Sequence, residues 1–286
     1  MILALTEGNM RHHQVIFYLL FLATLSFAQT TKEQIHAIEE LAQQRQSNRS
    51  WTSSCKHAIH TAEEVKTLLN IDELDIAQTL QLRDYLFFDT RTHYLINNEV
   101  ISIIGYYLIK HHNHKLKNFI TYDNLYTRAK ETYFPIFEQH FADYSIPKAL
   151  LLLPIAETDL KNHLISGDNA AGLWQFTEDT AKEYGLIFKH FDLRTDIHAS
   201  TDAACRYLKD MYENYSFWPM TVLGYNGGHN RIQDLIDLHL EGPIDIKIQW
   251  QSFFDNLPTE TQCHLNRLVA LNYAFSYFDD IQTFRH

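Results

Sequence analysis

A chain of 286 residues with 45% hydrophobic and 21% charged positions can bury a substantial core and needs one or two domains. Its formal net charge of -11 argues against a nucleic-acid surface, because neutralising phosphates requires surplus Lys and Arg. Nine glycines and six prolines exclude a repetitive or linker-dominated protein, and seventeen histidines soften the negative charge at lower pH.

The N-terminus reads as an export address. Arg11 leads into the apolar run Val15 to Leu25, and Ser26-Phe-Ala28 places small residues before a cut at Gln29. Residues 1–28 are therefore expected to be a cleaved signal peptide. Met10 offers an internal start, since Met1 to Asn9 adds nothing that export requires. The run is shorter than the roughly 20 residues that span a bilayer, so no membrane span is expected in the mature chain. A periplasmic or cell-envelope location follows. Cys55, Cys205 and Cys263 allow one internal disulfide with a thiol left over, and Cys205 in Ala203-Ala-Cys-Arg206 reads as a small buried side chain.

Residues 29–120 read as an N-terminal helical region. Ile35, Ile38 and Leu41 share a face, and Thr61-Ala-Glu-Glu64 is a capping box before Val65, Leu68 and Leu69. Val100, Ile103, Ile104, Tyr107 and Leu108 predict an amphipathic helix running into a solvated loop at His111-His-Asn-His-Lys115. Adjacent histidines do not share a helical face and no carboxylate or cysteine completes a ligand set, so no metal and no cofactor are expected.

Residues 121–286 read as one mainly α domain. Pro147 opens a helix that carries the apolar stretch Leu150 to Ile155 and ends at Glu157. A core helix gains nothing from terminating in an acid. Burial against aliphatic and aromatic groups disfavours the ionised form, so a carboxyl there suits a general acid. Thr177 to Tyr184 predicts a short helix capped by Thr177 and stopped by Gly185, and Thr201 to Tyr215 a longer one. Strand signals are sparse, leaving at most a small ribbon near 163–173.

Six short motifs recur in one order: Glu157-Thr158, Ser166, Gly172-Leu-Trp-Gln-Phe176, Tyr184-Gly-Leu186, Tyr225-Asn-Gly-Gly228 and Leu257-Pro-Thr-Glu-Thr261. Glu157 to Ser166 and Ser166 to Gln175 are each nine positions. Together these motifs resemble the lytic transglycosylase (SLT) domain, in particular that of the membrane-bound murein transglycosylase D type. The resemblance implies a lysozyme-like fold that cleaves the β-1,4 bond between N-acetylmuramic acid and N-acetylglucosamine in peptidoglycan glycan strands, leaving 1,6-anhydromuramoyl ends. It also implies that a single glutamate, Glu157, serves as acid and then as base toward the sugar's own C6 hydroxyl, which explains the missing second carboxylate of ordinary glycosidases.

By the same resemblance Thr158, Ser166, Gln175, Tyr225, Asn226 and Glu260 stand at substrate-binding positions. Glu260 reads equally well as an acid complementing a helix N-terminus, and Trp174 reads as core. Gly172 is expected to let the backbone turn close to the sugar or to the Glu157 helix. Thr158 replaces the family's Ser, Asn169 a Gly, Gly224 and Gly227 two Ala, and Gln262 an Arg. The extra glycines are expected to loosen a sugar-holding loop around Tyr225. Two other readings share the pattern. One is a goose-type hydrolytic lysozyme with Asp159 or Asp168 positioning a water; the other is a non-catalytic wall-binding protein of the same fold.

Overall fold

The computed structural model describes residues 62–69, 95–116, 125–239 and 246–283. The expected signal peptide, the Ile35 to Leu41 face and Cys55 lie outside the described residues. The architecture is mainly helical, in the order α1 (Ala62–Leu69), α2 (Asn98–Leu116), α3 (Leu125–Arg128), a π turn (Ala129–Tyr133), α4 (Phe134–Tyr144), a 3-10 turn (Lys148–Leu152) and α5 (Leu153–Thr158). There follow α6 (Glu178–Glu183), the hairpin β1 (Ile187–Phe188) and β2 (Phe191–Asp192), α7 (Ile197–Tyr215), α8 (Trp218–Gly227), α9 (His229–His239), α10 (Ile246–Asp255) and α11 (Thr259–Thr283).

Helix α11 is the axis of the domain. Every residue from Leu268 to Phe278 is buried, the signature of a helix surrounded on all sides by packed neighbours. Helices α2, α5 and α8 and the 3-10 turn pack against it. Asn97 caps α2 by accepting from the Val100 N–H at 3.0 Å and donates to Asn266 of α11 at 3.1 Å, and Asn266 in turn donates to Glu99 at 2.8 Å. Helix α2, read from sequence as part of an N-terminal region, thus seats its apolar face on the C-terminal helix. It also continues through the histidine-rich stretch that the sequence pattern assigned to a loop.

Two prolines shape the approach to the acid. Pro135 has no N–H for the Glu131 carbonyl, and the chain answers with a π turn in which the Phe134 N–H reaches Ala129. Pro154 has none for Leu150, so the Leu150 carbonyl accepts from Leu153 and the single predicted helix from Pro147 to Glu157 divides into a 3-10 turn and α5. The fully buried Leu150 to Leu153 and Ile155 fix this segment in the core, each worth about 1.5–3 kcal/mol of apolar burial.

Helix α6 is capped by Thr177 and followed by Gly185 at φ 76°, as its sequence predicts. Helix α7 starts four residues earlier than predicted because Asp196 accepts from the Ala199 N–H at 2.8 Å and caps it. The β-hairpin sits at 187–192; near 163–173 there are only isolated bridges, Ile165 to Ala171 and Ala171 to Phe176.

Candidate active site

Glu157 occupies the last turn of α5, where the helix stops because Asp159 and Leu160 both take left-handed backbone angles, φ 51° and 60°. Successive non-glycine residues in that region cost of order 1–3 kcal/mol each and persist only when held from outside. Arg267 of α11 does the holding. Its guanidinium donates to the Ala156 carbonyl at 2.6 Å, to the Asp159 carboxylate at 2.7 Å and to the Tyr107 hydroxyl of α2 at 2.6 Å. Arg128 donates to the Asp159 carbonyl. Burial pushes the Tyr107 phenol up to about 12, so it remains a neutral member of this cluster.

The Glu157 side chain is 13% exposed and engages none of that network. Its Oε1 lies 2.9 Å from Nε2 of His264, which is 7% exposed. The approach is short but off the line of the ring N–H, and neither imidazole nitrogen makes an aligned hydrogen bond among the described residues. A buried polar group left in that state costs about 1–3 kcal/mol. Tyr225 of α8 is the other neighbour: burial first, then the charge of Glu157, holds its phenol well above its ordinary value.

The segment 163–176 is held by Arg194, itself 6% exposed. Arg194 donates to the carbonyls of Asn169 at 2.6 Å and Phe176 at 3.2 Å while gripping Asp192 through Nε and Nη2. Its own carbonyl sets a steric limit, since a Cβ on Gly172 would lie 2.0 Å from it, and Gly172 has φ 81°. Glycine was expected here for an approach to the sugar or to the Glu157 helix; the close approach that demands it is to the Arg194–Thr195 backbone. Asn169, where the family carries Gly, has φ 59°, a left-handed position that Asn tolerates better than most residues.

The sequence-predicted residues divide into two groups. Ser166 is half-buried and accepts the Ala170 N–H at 3.0 Å, with its hydroxyl proton uncommitted among the described residues. Gln175, at φ 49°, donates to the Gly172 carbonyl at 2.8 Å and the Leu164 carbonyl at 3.3 Å, with no partner for Oε1 among the described residues. Asn226 is half-buried and its amide makes no hydrogen bond among the described residues. These three keep capacity for a ligand.

The others are placed differently. Thr158 is 4% exposed and donates its hydroxyl to the Pro154 carbonyl at 3.0 Å, within its own helix. The Tyr225 hydroxyl donates to the Trp174 carbonyl at 2.6 Å, tying α8 to the 163–176 segment. Glu260 is exposed in the first turn of α11, where the helix-dipole reading suffices. Trp174 is fully buried against Phe137 and Phe141 and donates to Thr201 at 3.0 Å, as core.

Tyr225 and Asn226 lie in a helix, and the two glycines beside them are packed rather than loose. A Cβ at Gly224 would meet Tyr215 at 2.8 Å and Met211 at 2.9 Å, and one at Gly227 would meet Ile232 at 3.1 Å and Thr261 at 3.2 Å. The expected loosened loop is thus corrected: neighbouring bulk has taken the space of the alanine methyls. Cys205 is buried and free, and Cys263 is disulfide-bonded with its partner outside the described residues.

Sequence reasoning missed His264, Arg267 and Arg194. A signal for the first two existed, since Glu260, His264 and Arg267 recur at four and three positions, on one face of a helix. Fold and site together define a mainly helical domain presenting one partly buried carboxyl group at a helix end, flanked by hydrogen-bonding side chains with unused capacity.

Known proteins resemble the segment that carries this site. Residues 134–244 match the family described as "Transglycosylase SLT domain". It is 34% identical over 130 residues to membrane-bound lytic murein transglycosylase D of Escherichia coli K12, covering 45% of this chain and 28% of that protein. It is 30% identical over 90 residues to a putative tributyltin chloride resistance protein of Alteromonas sp. M-1, covering 31% and 44% of the two chains. The chain thus spans less than half the length of these relatives. Among solved structures, an inactive variant of lytic transglycosylase Slt from Pseudomonas aeruginosa aligns at TM-score 0.44 and 13% identity, over 77% of this chain and 37% of that one.

Proposed function

We propose that this protein is a peptidoglycan lytic transglycosylase that uses Glu157 as its one acid and base. The observation that carries this reading is the state of Glu157: a lone, 13% exposed carboxyl group inside the SLT-matching segment, with no engagement in the hydrogen-bonded scaffold around it. In the first step the protonated carboxyl donates to the glycosidic oxygen as the bond to the muramoyl C1 breaks. In the second the resulting carboxylate takes the proton of the C6 hydroxyl as that oxygen closes on C1. Glu157 is returned protonated and no water enters. An internal alcohol held by its own ring supplies the proximity that a second carboxylate would otherwise arrange. Ser166, Gln175 and Asn226, with donors or acceptors still uncommitted, suit the acetamido and hydroxyl groups of a glycan strand. Thr158, Tyr225 and Arg194 hold the framework.

The hydrolytic alternative is disfavoured by a specific contact. Asp159, the nearest candidate for positioning a water, has its carboxylate engaged by Arg267 at 2.7 Å, and Asp168 is exposed without a hydrogen bond to the site. The non-catalytic alternative loses its main support with the packed glycines at 224 and 227. The substrate places the protein in the cell envelope, in keeping with the export signal read at 1–28. Among the described residues no helix is long and apolar enough to cross a membrane.

Mass spectrometry of digested sacculi tests the reading. Anhydro ends are expected from the native protein and none from Glu157→Gln; reducing ends would favour hydrolysis, and binding without soluble product would favour the non-catalytic reading.

A further inference from the structure

His264 is a buried imidazole with no aligned hydrogen bond among the described residues, and one of its nitrogens lies 2.9 Å from the carboxyl group assigned the chemistry. The charged and titratable groups around it are otherwise accounted for. From α5, Asp159 is bound by Arg267. From α2, Tyr107 accepts from Arg267 and Glu99 accepts from Asn266. From α8, Tyr225 donates to the Trp174 carbonyl and stays a neutral phenol. Lys148 of the 3-10 turn and Glu260 of α11 itself are exposed. Glu157 is left as the group that His264 meets.

We propose that His264 is a positioning residue for Glu157, holding its carboxyl group through Nε2 and making its competence as acid and base depend on the protonation of the imidazole. The inference rests on the reading of Glu157 given above. A small rotation of either side chain brings Nε2 and Oε1 into line. With one proton shared between Nε2 and Oε1, the pair exchanges between imidazolium–carboxylate, in which Nε2–H holds the carboxyl group in one rotamer, and imidazole–carboxylic acid, which gives that proton to the glycosidic oxygen. A second proton makes the imidazole a cation. Its charge stabilises the carboxylate formed after the first step and weakens it as a base toward the C6 hydroxyl. Loss of both protons leaves no acid. Activity therefore belongs to the singly protonated pair, and its acid limb reports the pair and not Glu157 alone.

Two measurements test this. In the pH profile of anhydro-product release, the native protein should lose about tenfold per pH unit on the acid limb, and His264→Gln, which keeps a hydrogen-bonding group at the site but cannot gain a charge, should lose that limb. Superimposable profiles in the two proteins would overturn the proposal. The second readout needs no activity and no variant at 264: the NMR titration of the assigned His264 ring in the native protein and in Glu157→Gln. Removing the carboxylate should move the His264 ring titration to lower pH, and an unchanged titration would overturn the pairing. Absence of anhydro ends from the native protein would instead count against the transglycosylase reading, with the ring titration still deciding whether the two residues act as a pair.

Discussion

Helix α11 faces the acid-bearing turn in two places, three residues apart, and treats them in opposite ways. At Arg267 three elements are locked together, with donors matched to Tyr107, Ala156 and Asp159 at 2.6–2.7 Å. At His264 a close contact with Glu157 goes unaligned, and both ring nitrogens remain unsatisfied among the described residues. Glu157 and Asp159 thus have different fates although only one residue separates them: one carboxylate is structural, the other is kept in reserve. The lesson is that the site does not lie where the polar contacts are densest. The dense network provides rigidity, and rigidity is what allows the neighbouring pair to stay unsatisfied.

Breaking the satisfied side should cost stability most. Arg267→Met removes the cation from the half-buried Asp159 carboxylate and the donors to Ala156 and Tyr107, and should lower unfolding free energy by about 3 kcal/mol in denaturant melts. Gly172→Ala forces a side chain into φ 81° and onto the Arg194 carbonyl, with an expected loss of about 3 kcal/mol. Gly224→Ala, which restores the family's residue, should destabilise by about 1–3 kcal/mol because Tyr215 and Met211 fill the space. Pairing it with Tyr215→Phe and Met211→Ala should recover part of that loss, as measured by thermal melts.

The smallest effect concerns Asp192. Hydrogen bonds from Arg194 hold its carboxyl below the usual carboxylate range. Its contribution is therefore complete above the unfolded value of about 4 and is lost as pH falls through the folded value. Its side chain is 49% exposed, so the effect stays under about 1 kcal/mol. Asp192→Asn should be less stable than the native protein at neutral pH, and the gap should close in acid.

Much of the frame was legible in the sequence because its signals are local. The cap at Thr177, the stop at Gly185, the buried Trp174 and the apolar face of α2 each follow from residues within a few positions of one another. The division of the Pro147 to Glu157 segment was also written locally, in Pro154. What was not legible depends on tertiary approach. Glycine at 224 and 227 reads as looseness until Tyr215, Met211 and Thr261 are seen to crowd it. The Pro154 and Trp174 carbonyls that accept the Thr158 and Tyr225 hydroxyls could not be read from the motifs that carry those residues. His264 sits more than a hundred residues from Glu157, and only the packing of α11 on α5 brings them together.

The most direct test of the division between the two carboxylates compares Glu157→Gln and Asp159→Asn, each assayed for anhydro-product release from sacculi after confirming a cooperative unfolding transition. Asn keeps an oxygen for Arg267 and tolerates the left-handed backbone, so Asp159→Asn should retain activity within a few-fold, whereas Glu157→Gln should fall by about 10²–10⁴ with little change in stability. Release of anhydro ends by Glu157→Gln at the native rate, or a folded Asp159→Asn protein that is inactive, would contradict the account.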